Sequence, residues 1–258
     1  MSDSTDHPAR TAAVRIVAAT AAFAVLHSFL ASRGAKASAE RLAGRRARDG
    51  GYRAFFNAQA VVTFGALAAY AWRLPDRPLY EAHGALRVTM RAGQLAGLVW
   101  AVQAVRQVGV ARMAGATSLA AWLRGAPDVP REPEAQGPAP DAAGRLRATG
   151  PFAWSRHPLN FAPLPILWLQ PRMTANLLAF NVAATLYLVA GSRHEERRLA
   201  AEYGAAYERY RRSGVPFYLP THGSPALAAA GGDTGPVASA PTRIAGVDPA
   251  HARPAGGA

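Results

Sequence analysis

Two short stretches, separated by an apolar run, carry the residues best suited to chemistry. The first is Thr149-Gly150-Pro151-Phe152-Ala153-Trp154-Ser155-Arg156-His157-Pro158-Leu159-Asn160, and the second is Glu195-Glu196-Arg197-Arg198-Leu199. Two carboxylates with aromatic faces such as Phe152 and Trp154 can attract an organic cation by charge and by cation–π contact. The planar fork of Arg156 can pair with a carboxylate on the same ligand. The chain has no cysteine, which excludes disulfides, thiolate metal sites and cysteine nucleophiles, and no metal site is expected. Taken alone, Glu195 and Glu196 among Arg193, Arg197, Arg198 and Arg212 read as a solvated ion-pair network, and His157 as a residue at a helix start. His27 is a further candidate, because an ionisable group within an apolar segment is a functional hypothesis by default.

The elements that must position these residues are apolar and long. Half of the 258 residues are hydrophobic and 17% are charged, and the net charge of +13 lies between uncharged runs rather than on one face. That distribution argues for positive-inside membrane topology and against nucleic acid as a partner. Seventeen residues without formal charge separate Arg15 from Arg33, and Ala54 to Trp72 gives 19 more. Each approaches the length needed for a hydrocarbon core about 30 Å thick. The segment 33–53 between them holds seven basic and two acidic residues and is expected on the cytoplasmic side, facing anionic lipid. A third span is expected over 88–105. Residues 157–171 form a short fourth segment broken by Pro158, Pro163, Pro165 and Pro171, and 173–192 a fifth. Broken backbone at membrane depth is tolerated only where it is buried in protein or lines a cavity, so the fourth segment itself points to a site.

Beyond Ser192 charges crowd in, yet Leu199, Tyr203, Tyr207 and Tyr210 recur at helical spacing. One continuous helix through them turns Glu196 into the apolar stripe and leaves Glu195 at its edge. The expected fold is all-α: a polytopic membrane bundle of about five transmembrane segments with a C-terminal cytoplasmic amphipathic helix. Residues 1–10 read as a polar tail, 11–220 as the membrane domain, and the Ala, Gly and Pro-rich 221–258 as disordered.

The C-terminal pattern resembles a known superfamily. Gly150-Pro151-Phe152, Arg156-His157-Pro158-Leu159-Asn160, Glu195-Glu196-Arg197-Arg198-Leu199, Tyr203-Gly204, Tyr207, Tyr210 and Val215-Pro216 are similar to the signature of isoprenylcysteine carboxyl methyltransferases and phospholipid methyltransferases. This resemblance covers 145–220. Leu26-His27-Ser28-Phe29-Leu30-Ala31-Ser32 and Tyr52-Arg53-Ala54-Phe55-Phe56-Asn57 resemble the branch holding NnrU-like proteins and methanethiol S-methyltransferases. The resemblance implies a bacterial inner-membrane enzyme that binds S-adenosylmethionine on the cytoplasmic face and methylates a small thiol or lipid-soluble acceptor. It implies cofactor contacts at Gly150, Arg156, His157, Pro158, Asn160, Glu195 and Glu196. In-line methyl transfer depends mainly on alignment and desolvation, so no catalytic triad is expected. Where many members carry Tyr and then Gly, this chain has Asn160 and Ala162, which removes a hydroxyl and a ring face. NnrU-like proteins also resemble the ζ-carotene isomerase, which implies two alternatives. One is a haem b protein with His27 and His157 as axial ligands, and the other is a non-catalytic membrane protein associated with denitrification.

Overall fold

The computed structural model describes residues 3–131 and 136–237. In chain order the helices α1 (Asp3–Ala31), α2 (Arg33–Ala43) and α3 (Arg45–Trp72) come first, followed by strand β1 (Pro78–Glu81). Helices α4 (Gly84–Val108), α5 (Val110–Ala114) and α6 (Ala116–Leu123) precede β2 (Arg145–Arg147) and a 3-10 turn at Gly150–Ala153. Then come α7 (Pro158–Phe161), α8 (Pro163–Trp168), β3 (Arg172–Thr174), α9 (Ala175–Tyr203), α10 (Ala205–Arg212), α11 (Pro225–Ala229) and β4 (Asp233–Pro236).

Among the described residues three helices are long and apolar enough to cross a membrane: Pro8–Ala31 within α1, then α3 and α9. Their outer faces carry Val25, Val61 and Leu186 at 66–73% exposure, a surface that water would penalise and lipid would not. Helix α4 has the length but not the apolarity to join these three, because Arg87, Arg91 and Arg106 interrupt it. The expected fourth segment is two short helices, α7 and α8, divided by prolines. It runs antiparallel to α4: Trp100 meets Phe161 edge-on, Gln94 Nε2 donates to Ile166 O at 3.0 Å, and Ala82 N donates to Pro171 O. A Cβ on Gly97 would lie 3.0 Å from Pro165 Cβ, so the missing side chain allows this close approach.

The bundle has two unlike ends. At one, β1 pairs antiparallel with β3, and Asp76 Oδ1 accepts from Asn176 N to fix the start of α9. Thr174 caps α9, its Oγ1 accepting from Leu177 N at 3.2 Å. At the other end lie the basic α2, the Arg156–His157 loop and a small domain whose core joins Phe152, Leu199, Tyr207, Tyr210, Val215 and Leu227. Here β2 pairs antiparallel with β4.

Two expectations are corrected. No break falls at Ser192, and α9 continues to Tyr203, where Gly204 at φ +54 ends it. A shorter helix, α10, starts afresh on a new axis, so the amphipathic segment is not one continuous helix. The tail expected to be disordered from 221 is ordered through Val237. Ser224 caps α11 by accepting from Leu227 N, buried Leu227 joins the core, and β4 pairs with β2. Residues 238–258 of that expectation lie outside the described residues.

Candidate functional site

The last turns of α9 place two adjacent carboxylates on different sides of one helix. Ser192, Glu195, Leu199 and Tyr203 form its buried face, at the i, i+3, i+7 and i+11 positions. Glu195 is therefore the more buried carboxylate, the reverse of the sequence expectation. That expectation counted Tyr207 and Tyr210 in the same helical phase, and the break at Gly204 removes them from it.

Glu196 sits in an ionic knot. Its Oε1 accepts from Arg156 Nε at 2.7 Å, its Oε2 faces Arg211 Nε at 3.8 Å, and the Tyr207 hydroxyl lies 3.5 Å from Oε1. Arg156 also donates to the carbonyls of Val215 and Arg211 and lies over the Phe217 ring at 5.6 Å. Burial drives the Tyr207 hydroxyl pKa far up, so it stays a neutral donor.

His157 bridges the two carboxylates. Its side chain is wholly buried, with Nδ1 3.5 Å from Glu195 Oε2 and Nε2 3.6 Å from Glu196 Oε1. These are ion-pair separations rather than hydrogen bonds, and among the described residues both nitrogens lack a hydrogen-bond partner. Burial pulls the imidazole pKa down, but the two carboxylates outweigh it and the net direction is up.

Apart from His157, Glu195 bonds to neutral partners. Its Oε1 accepts from the backbone N–H of Gln136 at 2.6 Å, and its Oε2 from Asn160 Nδ2 at 3.2 Å. Asn160 Nδ2 also donates to Ser192 Oγ at 2.9 Å. Beside them opens a cavity of about 530 Å³ between α1, α3 and α9, walled by His27, Arg53, Phe56, Asn160, Glu195 and Arg198 among others. That volume lies within the range of about 300–1,000 Å³ common for small-molecule sites.

The loop is held from behind by the chain that follows α10. Arg156 N donates to Pro216 O, Ser155 Oγ to Tyr218 O, and the Tyr218 hydroxyl to Asn160 O at 2.6 Å. The Tyr210 hydroxyl donates to Phe152 O. Of the seven expected cofactor contacts, Asn160 and Glu195 line the cavity. Arg156, His157 and Glu196 form the knot behind it. Gly150, at φ +50, opens the 3-10 turn against Gln107, and buried Pro158 starts α7.

The aromatic expectation is corrected. Phe152 is buried in the core and Trp154 is 48% exposed, whereas Phe217, which spacing did not single out, covers Arg156 and meets His157 at 5.0 Å. The haem alternative fares no better. His27 lines the cavity and His157 does not, its two nitrogens being turned to carboxylates, so the structure does not bring the pair to one ligand. Gln136 and Ser192 were also missed. Ser192 lies one helical turn before Glu195, a usable signal, whereas nothing in the Pro-rich loop marks Gln136.

No family model matches the chain, and no solved structure matches it. Over 65 residues it is 46% identical to methanethiol S-methyltransferase 2 of Bradyrhizobium diazoefficiens, covering 25% of each chain. Over 69 residues it is 39% identical to the methanethiol S-methyltransferase of Mycobacterium tuberculosis, covering 27% of this chain and 28% of that one. Over 84 residues it is 31% identical to the methanethiol S-methyltransferase of Pseudomonas deceptionensis, covering 33% and 32%. The chain thus spans about a quarter to a third of the length of these curated relatives.

Proposed function

We propose that the chain is an integral-membrane methyltransferase that uses S-adenosylmethionine to methylate a small thiol, with methanethiol the first acceptor to test. The observation that carries this reading is the 46% identity over 65 residues to a methanethiol S-methyltransferase. The donor set of the cavity supports it. S-adenosylmethionine, when bound, supplies an electrophilic methyl on a positively charged sulfur and brings an amino group and a carboxylate. A wall carrying Glu195 with Arg53 and Arg198 offers both signs of charge to such a ligand, and Phe56 and Tyr187 offer ring faces.

In this reading Glu195 and Asn160 hold the cationic part. Arg156, His157, Pro158 and Glu196 fix the loop and helix that aim them, and Gly150 shapes the turn before the loop. Their contribution to rate is alignment and exclusion of water. The cavity lies between three apolar helices, which also suits an acceptor entering from lipid.

Five membrane segments form part of the proposal, with α4 and the antiparallel 158–171 completing the three apolar helices. At about 1.5 Å per residue, the 25 residues of α4 reach about 38 Å. The basic 33–53 end faces the cytoplasm of a bacterial inner membrane and carries the site there. The domain is 11–220 in outline, in the isoprenylcysteine and phospholipid methyltransferase-like superfamily and its NnrU-like and methanethiol S-methyltransferase-like branch.

Binding of labelled S-adenosylmethionine to purified protein, followed by headspace detection of dimethyl sulfide from methanethiol, tests the reading. Binding and product formation are expected. A folded sample with no detectable binding would sink it.

A further inference from the structure

The cavity contains an ionisable side chain that the reading above leaves unused. His27, on α1, lines it together with Glu195 and Asn160. Its ring packs 4.6 Å from Phe56, 5.5 Å from Phe23 and 6.4 Å from Tyr187, and its Nδ1 is buried without a hydrogen-bond partner among the described residues. A structural histidine in an apolar helix ordinarily spends its nitrogens on partners, because an unmet buried polar atom costs about 1–3 kcal/mol. The charged and titratable groups sharing the cavity are Arg53 from α3 and Tyr187, His194, Glu195 and Arg198 from α9, while Gln136 and Asn160 are neutral.

We infer that His27 is the proton acceptor for the thiol, an inference that rests on the proposed methyl transfer. The thiolate, not the thiol, is the nucleophile. The S–H proton passes to the neutral imidazole, and the sulfur electron pair forms the new S–CH3 bond. The donor's S–CH3 bond breaks with its electrons left on the donor sulfur, which becomes a neutral thioether. His27 then releases the proton to solvent. Arg53 and Arg198 on the same wall favour negative charge at the attacking sulfur.

The test compares kcat/KM for methanethiol across pH in the wild type and in His27→Gln, with labelled S-adenosylmethionine binding measured on both. Loss of a general base is expected to cost about 10²–10⁴-fold at pH 7. The loss should shrink toward high pH, where solvent ionises the thiol, and a selenol, ionised without help at neutral pH, should restore most of the rate. Binding of the label should stay within about threefold, a fold-change that corresponds to about 0.7 kcal/mol. Full activity at pH 7, or an equal loss at every pH with thiol and selenol alike, overturns the inference while leaving the methyltransferase reading intact. If the wild type binds no label, the underlying reading fails instead. If His27→Gln does not bind the label, the wild-type profiles decide. A rise through the imidazole range with the thiol and not with the selenol, kept in His194→Gln, supports His27, and identical thiol and selenol profiles or a rise lost in His194→Gln overturn it.

Discussion

Glu195 and Glu196 are neighbours in the chain, yet the regions they serve differ in almost every physical respect. Glu196 is surrounded by cations, with Arg156, Arg211 and His157 all within 4 Å. Glu195 meets an amide N–H, an asparagine and one face of the same histidine, and then the cavity. A carboxylate tied to a guanidinium that is itself tied to three other groups is a structural rivet. Glu195 shares His157 but otherwise bonds to neutral groups, and it lines a cavity together with Arg53 and Arg198. The difference teaches that two adjacent carboxylates on one helix divide between an ionic knot that holds the loop and a cavity wall, with His157 between them.

The largest expected effect breaks the rivet. Arg156→Ala removes the main partner of Glu196 and the tie to Val215, and unpairing a buried charge costs about 3–5 kcal/mol. Because Glu196 keeps Arg211 and some solvent contact, the unfolding free energy of the detergent-purified protein should fall by about 3 kcal/mol, the low end of that range. The comparison is sharpened next by the two glutamines. Glu195→Gln should weaken binding of labelled S-adenosylmethionine about 10–100-fold, the loss of one charge-assisted contact, and lower stability less than Glu196→Gln does. Glu196→Gln should do the opposite. Equal effects from both would abolish the division.

A smaller effect reads the coupling residue. Burial lowers the His157 pKa, but Glu195 and Glu196 raise it more, so the fold favours imidazolium. Its stabilisation is complete below an unfolded pKa of about 6.5 and is lost as pH rises through the higher folded value. Melting should therefore fall with pH above about 6.5, and His157→Gln should flatten that dependence. Smallest of all, Asn160→Ala removes one donor shared by Ser192 and Glu195 and should cost about 1 kcal/mol, with a few-fold loss of cofactor affinity.

Much of the membrane part was legible because its signal is local. Uncharged runs located α1, α3 and the start of α9, and prolines at 158, 163 and 165 marked the broken segment that lies against α4. The two stretches singled out in the sequence come together in space, where Arg156, His157, Glu195 and Glu196 meet. What escaped was set by tertiary pairing. The order of Glu195 and Glu196 turned on a helix break at Gly204, a residue that resembles many tolerated helix glycines until its φ is known. The ordering of 221–237 depended on a two-stranded pairing across almost 90 residues of chain, with Arg145 Nε bonded to Asp233 at 2.6 Å. The contact of Phe217 with Arg156 also escaped, because it arises where the chain returns over the loop after α10.

That return makes the last-made part of the described chain the part that completes the loop. The apolar helices α1, α3 and α9 all precede residues 215–219 in the chain. The loop at Arg156 acquires its backbone ties only when Pro216 and Tyr218 arrive. A chain ending at Ser213 would therefore keep its three apolar helices and lack the backbone ties of the Arg156 loop. A cut between α10 and Pro216 would separate a lipid-compatible bundle from the strap that finishes its polar end.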